Sequence, residues 1–446
     1  MSSFQYYSYP TQTSVKIRFE QSSYFPAITF CSGNPFRYDR LGPALLSWSN
    51  ESTLSMADAY LLMVNFIVDL FNQNRSDLIQ YYGFQLDDIL LDCTYNGLDC
   101  YTNRSQLFVR SISTITGNCY TFNAKVGNIS SLYKTNDFGN GWTVENGLVL
   151  TFYLNQQWYT PTYYANSLTA ILHDNDEFPL VRYVGQYYQP GLDHQILYTK
   201  HVTTYLGSPY TQCTTQMGED MQALYSTAFG TSQFKYSQTV CYELCAQSYI
   251  YHQCRCTIPI YFFVDKLVVN NQLVSVNACS VHTDEGMCAA EARQNFLNDL
   301  QLQSKQCVHC QPECEIMTFE TDTSSLRAPT ELQKLLLVMD FLNTENKSAT
   351  PLPADFEANY TLYLDKNYLK LKILPVSQYV TSYTEMATYS WVAFMSDIGG
   401  QSGFWMGLSV SSIIELIGLI YRKKLLKCFG KDKVQAFSED TVDSKH

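Results

Sequence analysis

The apolar residues of this chain follow the two-residue period of strands in some segments and the longer period of helices in others. Residues 1–40 alternate polar and apolar side chains and include the apolar run 25–31, which predicts a strand that enters a core. Residues 56–72 have helical periodicity. Further strands, rich in Val, Leu, Thr and Tyr, are predicted at 144–153, 195–205, 360–364 and 369–374.

One segment near the C-terminus, residues 389–421, has the length and apolarity of a membrane-spanning helix. Because a carboxylate in bilayer hydrocarbon costs roughly 2.5 to 3.5 kcal/mol, Glu415 is predicted to face protein or a water-filled path, which makes an ion pathway the first hypothesis. The alternative is a stripe of small residues that packs against another helix; the spacing alone favours it, but it does not explain Glu415. The stripe recurs every fourth position, at Gly399, Gly403, Gly407, Ser411 and Glu415.

The cysteines and glycosylation signals place the two sides of this helix in different compartments. Fourteen of the fifteen cysteines lie between Cys31 and Cys314, and Cys428 follows the helix, which predicts seven extracellular disulfide bonds and one free cytoplasmic thiol. Basic residues after the helix mark its cytoplasmic end, so residues 1–388 are predicted to be extracellular and 422–446 cytoplasmic. Six N-glycosylation signals precede the helix, at Asn50, Asn74, Asn103, Asn128, Asn346 and Asn359.

The charge and the remaining reactive residues narrow the function. A net charge of −12, with no basic tract before residue 422, argues against a nucleic-acid partner and suits cations. An enzyme is the weakest hypothesis, because the seven histidines show no metal-ligand spacing and the cysteines are assigned to disulfide bonds. No catalytic residue, metal ion or cofactor is predicted.

The order of the segments raises a question of membrane insertion. A helix that follows nearly 400 residues does not easily start their translocation, and residues 1–10 contain no signal sequence or spanning helix. We therefore expect a cytoplasmic tail and a first transmembrane helix upstream of Met1.

Ten cysteines lie within residues 213–314, and their spacing allows two interpretations. Two facing helices joined by disulfide bonds are predicted from the pairs that lie one helical turn apart, Cys241 with Cys245 and Cys310 with Cys314. Zinc ribbons usually repeat a C-x2-C pattern in reducing compartments, which disfavours the second interpretation. That interpretation is a zinc cluster with ligands from Cys254, Cys256, Cys307 and Cys310.

Three groups of residues occur together in this chain. They are F-P-A-I-T-F-C at 25–31 with N-P-F-R at 34–37, the nested cysteine pattern, and D-I-G-G-Q-S-G at 397–403 followed by Gly407-x-Ser409 and Glu415. In these groups the chain resembles the degenerin/epithelial sodium channel/acid-sensing ion channel superfamily over nearly its whole length. The resemblance implies an α+β membrane protein with a disulfide-rich, sheet-cored ectodomain of palm, finger, β-ball, knuckle and thumb. It also implies a trimer whose second transmembrane helices line the pore.

The resemblance further implies a disulfide map in which the last five bonds brace the thumb, residues 213–314. Because each bond typically contributes roughly 2 to 4 kcal/mol, such a thumb is rigid enough to pass force to the pore. The implied pairs are Cys31–Cys119, Cys93–Cys100, Cys213–Cys314, Cys241–Cys310, Cys245–Cys307, Cys254–Cys288 and Cys256–Cys279.

The pore residues are also implied by the resemblance. Gly407, Leu408 and Ser409 correspond to the selectivity filter, with Leu408 at a position where relatives commonly have Ala or Ser. Glu415 lies further along the pore, and Asp397 lies at its outer end. Backbone carbonyls, hydroxyls and carboxylates from three copies can replace the hydration shell of a sodium ion.

Residues that control opening are implied as well. Ser396 matches the degenerin position, where relatives tolerate only small side chains without being forced open, and Gly403 matches the position of amiloride block. Tyr6 and Tyr210 match the aromatic pair at the wrist that couples the thumb to the membrane helix, with Tyr210 in place of the more usual Trp.

An acid sensor is implied less clearly. Asp176 and Glu177 resemble one half of an acidic pocket, in which crowded carboxylates would have raised pKa values, and a solvated loop is the alternative. Proton-gated relatives carry paired histidines after the wrist tyrosine, where this chain has Tyr7 and Ser8. The aspartates expected in the thumb are replaced by Arg293 and Asn295.

The sequence therefore predicts a subunit of a trimeric, amiloride-sensitive, sodium-selective channel of the plasma membrane, gated by an extracellular ligand such as a peptide or by force. It would assemble as a homotrimer or with related subunits. A proton-gated channel of the same superfamily is one alternative. A non-conducting, single-pass glycoprotein receptor or regulatory subunit is another, and residues 396–415 discriminate because a membrane anchor needs neither the filter nor Glu415.

Overall fold

The chain divides into two compact units. The large unit is Ser14–Thr384, and the small unit holds both chain ends, Met1–Thr13 with Glu385–His446. The structure, a computed structural model, describes residues 6–50, 56–113, 117–126, 132–135, 147–160, 166–230, 233–281, 283–342, 352–406 and 410–429.

Strands and helices both contribute to the chain, as the predicted α+β class requires. The strands of the described residues are β1 (Thr11–Phe19), β2 (Ser23–Tyr24), β3 (Ala27–Ser32), β4 (Leu90–Tyr95), β5 (Leu98–Asp99), β6 (Phe108–Ser113), β7 (Gly117–Phe122), β8 (Lys134–Thr135), β9 (Leu148–Tyr153), β10 (Leu168–His173), β11 (Gln186–Tyr188), β12 (Leu192–Thr204), β13 (Lys266–Val269), β14 (Gln272–Ser275), β15 (Glu315–Arg327), β16 (Tyr368–Pro375) and β17 (Tyr379–Ala387).

These strands form two principal sheets. The larger sheet has the order β1-β17-β12-β16-β9-β4-β5, with β15 paired to β12, and the second has the order β11-β10-β3-β7-β6. The strands predicted at 195–205 and 369–374 are β12 and β16. Of the strand predicted at 144–153, residues 148–153 form β9, and residues 144–146 lie outside the described residues.

The main hydrophobic core draws on both sheets. Strand β3 is buried along all six residues, as the apolar run at 25–31 predicts. Phe30 on β3 meets Phe152 on β9 at a ring-centroid distance of 4.9 Å, and both side chains are fully buried. Such contacts contribute packing energy beyond their buried area.

Helices connect many of the strands and make up much of residues 213–314. The predicted helix at 56–72 is confirmed with the same bounds. The helices of the described residues are α1 (Tyr38–Ser49), α2 (Met56–Asn72), α3 (Ser76–Tyr82), α4 (Leu86–Ile89), α5 (Arg104–Leu107), α6 (Val181–Val184), α7 (Glu219–Phe229), α8 (Gln238–Cys254), α9 (Asp284–Asn298), α10 (Leu300–Gln306), α11 (Glu331–Leu342), α12 (Phe356–Asn367), α13 (Trp391–Met406) and α14 (Val410–Phe429).

The prediction of a strand at 360–364 is wrong, because these residues lie inside helix α12. Phe356, Tyr360 and Leu364 are four positions apart, and they pack in one cluster with the end of β9. The aromatic and β-branched residues of the segment favour a strand by propensity, but packing of this helical face overrides that preference.

Seven disulfide bonds brace the large unit, and they are the seven pairs that the resemblance implies. The Cys93–Cys100 bond, between cysteines seven positions apart, closes the β4–β5 hairpin. The Cys31–Cys119 bond joins directly paired positions of β3 and β7. The side chain of Cys428 lies outside the described residues. The bonds are Cys31–Cys119, Cys93–Cys100, Cys213–Cys314, Cys241–Cys310, Cys245–Cys307, Cys254–Cys288 and Cys256–Cys279.

The prediction of two facing helices in the thumb is half wrong. Helix α8 holds Cys241 and Cys245, but their partners Cys310 and Cys307 follow the end of α10 rather than lying on a helix. Pro312 lies just beyond, and a proline disfavours the helical conformation in the residue before it. Spacing of one helical turn therefore does not require a helix on both sides.

The motif at 34–37 has a structural role in the large unit. The Asn34 side chain donates to the carbonyl of Thr160 at 2.8 Å and accepts from the Thr160 N–H at 3.1 Å. Arg37 is buried, and its Nη1 lies 2.7 Å from Oδ1 of Asp88. The other Asp88 oxygen accepts from the backbone N–H of Gln85 at 2.8 Å. The motif therefore anchors the segment after β3 through buried, paired polar groups.

Arg37→Met is expected to lower the free energy of unfolding by about 3 kcal/mol, because it removes the nearest cation from the buried Asp88 carboxylate. Arg75→Met is the matched control, because Arg75 pairs with Asp77 at 3.0 Å on the surface, where an ion pair contributes little. Thermal unfolding of the detergent-solubilised protein measures both. An Arg37→Met melting temperature no lower than that of the control would contradict the buried-pair argument.

Candidate functional site

An aromatic cluster joins the two chain ends of the small unit. The ring of Tyr6 stacks on Phe394 with centroids 4.7 Å apart and meets Trp391 at 5.7 Å. The backbone N–H of Thr388 donates to the carbonyl of Pro10 at 2.9 Å. Tyr6, the predicted wrist residue, therefore packs against the first turn of α13, which begins at Trp391.

Tyr210, the second predicted wrist residue, lies in the large unit. Its backbone N–H donates to the carbonyl of Gly207 at 3.0 Å. Gly207 has a φ of +75°, a backbone conformation that favours glycine. The proposed coupling of the thumb to the membrane helix through Tyr6 and Tyr210 stays a prediction.

The start of α13 carries the predicted gate and outer-pore residues. The hydroxyl of the buried Tyr389 donates a hydrogen bond to Oδ2 of Asp397. Ser396 and Asp397 are both exposed. The sequence analysis missed Tyr389, since nothing in the pattern links it to an aspartate eight positions later. The bond holds the Asp397 carboxylate in one orientation.

The glycines of α13 are open. A Cβ atom added to Gly399 or to Gly400 would meet nothing within 4 Å among the described residues outside the helix. Gly403, the predicted blocker site, is exposed as well. Small residues that serve helix packing lie against a neighbouring element. Within the described part of this chain these glycines therefore do not form a packing surface.

The predicted filter, Gly407, Leu408 and Ser409, lies outside the described residues. Helix α13 ends at Met406, and α14, which carries an exposed Glu415, begins at Val410. Among the described helices, none combines the length and the apolar composition that are needed to cross a bilayer.

The loop after β10 gathers acidic side chains around one lysine. Nζ of Lys235 lies 2.9 Å from Oδ2 of Asp174 and 2.8 Å from Oδ1 of Asp176. The backbone N–H of Lys235 also donates to the carbonyl of Asp176 at 2.7 Å. Lys125 adds a second cation, 3.7 Å from Oδ2 of Asp176. The loop turns tightly, because the Glu177 side chain accepts from the Asp174 N–H at 3.3 Å. A solvated acidic loop, the alternative interpretation, does not describe this paired cluster.

Burial and charge change the pKa values in this loop. Burial, with the nearby charges of Asp174 and Glu313, raises the pKa of Glu177 to about 7. Burial also raises the pKa of Asp176, although Lys235 opposes the change. For Asp174 burial is outweighed by the hydrogen bond and charge of Lys235, so its pKa is lowered. Glu177 is therefore the loop carboxyl whose pKa lies near neutrality, which makes it the better of the two predicted sensor residues.

Lys235 and Asp174 are the members of this cluster that the sequence analysis missed. Lys235 lies almost 60 residues from the loop, and no sequence pattern connects the two. Arg293, which stands where the resemblance implies a thumb aspartate, pairs with Glu243 at 3.2 Å and lies over the ring of Tyr261. The basic partner of the acidic loop therefore comes from the segment before α8 and not from α9.

The zinc interpretation of the thumb is wrong. Cys254, Cys256, Cys307 and Cys310 belong to four different disulfide bonds, and zinc needs free thiolates. The atoms of Cys241, His309 and Cys310 lie close enough together to resemble a ligand set, but the two sulfurs are bonded to each other.

The glycosylation signals can be placed in part. Asn50, Asn74, Asn103 and Asn359 are exposed, and the first two have left-handed backbone conformations in turns. The Asn359 amide donates to Oδ2 of Asp355, the residue before α12, at 3.0 Å, so this amide already has a hydrogen-bond partner. Asn128 and Asn346 lie outside the described residues. Glycosylation itself stays a prediction.

Comparison with known proteins decides the family. The model of the family described as amiloride-sensitive sodium channel matches residues 1–419. The chain belongs to this family. Acid-sensing ion channel 2 of Homo sapiens is 24% identical over 98% of this chain and 81% of its own length. Degenerin-like protein unc-105 of Caenorhabditis elegans is 26% identical over 76% of this chain and 35% of its own length. The epithelial sodium channel subunit gamma of Neoceratodus forsteri is 26% identical, over 82% and 50% respectively.

The family match agrees with the resemblance stated from the motifs. It covers both units, including α13 with its exposed Ser396, Asp397 and glycines. The relatives are named as ion channels and not as enzymes.

Proposed function

We propose that this chain is a pore-forming subunit of a sodium-selective, amiloride-sensitive cation channel of the plasma membrane. The observation that carries the proposal is the family match over residues 1–419, which includes the predicted pore segment. The open glycines of α13 support it, because they leave one face of the helix free for a water-filled path or for another chain.

The proposal includes assembly with two further subunits, either identical or related. One polar stripe cannot enclose water, whereas three stripes around an axis can. Helix α11 supports assembly by presenting an exposed apolar face. Leu332 and Met339 are 68% and 66% exposed, and Leu335, Leu336 and Leu342 share the helical spacing. A face of this kind typically marks a protein–protein contact.

An extracellular ligand or mechanical force is the proposed stimulus. The five disulfide bonds between residues 213 and 314 support a rigid element that transmits movement. Proton gating is the second candidate, because Glu177 has a pKa of about 7 in the acidic loop. Tyr7 and Ser8 occupy the positions where proton-gated relatives carry histidines, which keeps this candidate second. A non-conducting receptor would not need an exposed acid and glycines on one helix.

Current recordings test the pore assignment. Gly403→Ser is expected to weaken amiloride block roughly tenfold or more, because a side chain would occupy the proposed blocker site. Ser409→Ala is expected to reduce the preference for sodium over potassium, since it removes a hydroxyl from the proposed filter. Gly418→Ser on α14 is the control, because a Cβ atom at Gly418 would meet nothing within 4 Å and the position lies outside both sites. Unchanged block and unchanged reversal potential in the first two variants would return the glycines to a packing role.

A further inference from the structure

An apolar cavity of about 180 Å³ lies between helix α2 and the segment 258–263 of the large unit. On the helix side the cavity is lined by Tyr60, Met63, Val64, Ile67 and Val68, which share one face by their spacing. None of the described residues that line it carries a charge. Met63 and Ile67 are buried, and Tyr60 and Val64 are partly exposed, so the cavity reaches the surface on one side.

Polar contacts fix helix α2 against the segment 278–281, whose Val281 also lines the cavity. Asn65 donates to the carbonyl of Val281 at 3.2 Å and accepts from its N–H at 2.7 Å. Asn72, two helical turns later, makes the same pair of bonds with Ala278, at 3.0 and 2.8 Å. These four hydrogen bonds fix α2 against the segment 278–281, so the helix cannot move to fill the space.

The opposite wall is fixed as well. The Cys256–Cys279 bond ties the chain just before the segment 258–263 to the segment 278–281, which α2 contacts. Phe263 stacks on Phe71 of α2, with ring centroids 4.1 Å apart, at one end of the cavity. Ile260 donates a backbone hydrogen bond to Ile258 at 2.9 Å, which holds the turn on this wall in shape. A site whose walls are positioned before binding loses little order when a ligand enters.

We propose that this cavity binds a small, uncharged, apolar molecule, from the size of benzene up to about ten non-hydrogen atoms. An enclosed apolar cavity of about 150 Å³ binds benzene, so this space of about 180 Å³, which is open on one side, is large enough for the same class of molecule. A charged molecule would lose its hydration and gain no partner among these side chains. The expected Kd is on the order of 0.1 mM, the value for about six buried CH₂-sized groups.

Photolabelling in lipid nanodiscs with a small uncharged aryl diazirine tests the proposal. Saturable labelling is expected within residues 56–72 or 258–263, located by peptide mapping. Toluene is expected to reduce it at least about fivefold, whereas benzoate, its charged analogue, is expected to leave it unchanged. Labelling of these peptides that neither saturates nor responds to toluene would overturn the proposal. The result does not depend on whether the protein conducts ions.

Two cavity-filling variants make the test specific. Val64→Phe is expected to abolish toluene-sensitive labelling, because the added phenyl ring occupies the space, and Ile260→Phe does the same from the opposite wall if the first variant does not fold. Val184→Phe is the control, since Val184 is 58% exposed and does not line the cavity. Toluene-sensitive labelling that persists in both filled variants would overturn the proposal. So would labelling that is absent from the assembled protein and occurs only in dissociated chains, because a neighbouring subunit would then fill the cavity.

Discussion

Replacement of Ser396 by Val or Phe is expected to produce a sodium current in the absence of any stimulus. Ser396 is exposed on α13, so a larger side chain meets no obstacle among the residues that the structure describes. If three copies of this position approach the pore axis when the channel closes, the strain falls between chains and only in the closed state. Overpacking a tight site costs roughly 1 to 3 kcal/mol, so three copies could shift the closed-to-open ratio by several powers of ten.

Holding current at matched surface expression measures this effect. Ser396→Ala is the small-residue control and is expected to remain closed at rest. Val392→Phe controls for added bulk one turn earlier on the same helix, where the side chain is 72% exposed. If Ser396→Phe carries no current at rest but opens normally with the stimulus that gates the parent, Ser396 does not lie at a constriction that closes the pore.

Features that depend on local pattern could be predicted from the sequence. Helix α2 was predicted with its bounds because its apolar positions follow one helical face. Strand β3 was predicted because a continuous apolar run fits a strand buried on both faces. The disulfide pairs followed from the family resemblance and not from spacing. Spacing alone suggested a second helix at 310–314, where the chain has none.

Features that depend on distant contacts could not be predicted in this way. Residues 360–364 have strand-like composition, and only packing against β9 makes them helical. Lys235 contacts Asp174 and Asp176 across about 60 residues of chain. The pKa of Glu177 likewise depends on burial and on the charge of Glu313, which lies far away in sequence. A fold has to be known before such a cluster can be recognised.

The acidic loop is expected to make the stability of the protein depend on pH through Glu177. Its pKa rises from 4.5 in the unfolded chain to about 7 in the folded protein, so the folded state holds the proton more tightly. This contribution is therefore fully present below about pH 4.5 and is lost as the pH rises through about 7. His173 acts in the opposite direction, because burial lowers its pKa to about 4 and the folded state favours the neutral ring.

Glu177→Gln isolates the contribution of Glu177, since His173 is common to both proteins. The stability of the variant relative to the parent is expected to rise by about 3 kcal/mol between pH 4.5 and 8, at about 1.36 kcal/mol per pKa unit. Melting temperatures in detergent across this range measure the difference, and Glu315→Gln, at an exposed position of β15, is the control. Lys235→Gln should move the pH range of this stability change upward, because it removes a cation whose charge lowers the pKa of Glu177. A Glu177→Gln difference that stays flat with pH would mean that Glu177 ionises normally, and proton gating through this loop would then lose its main support.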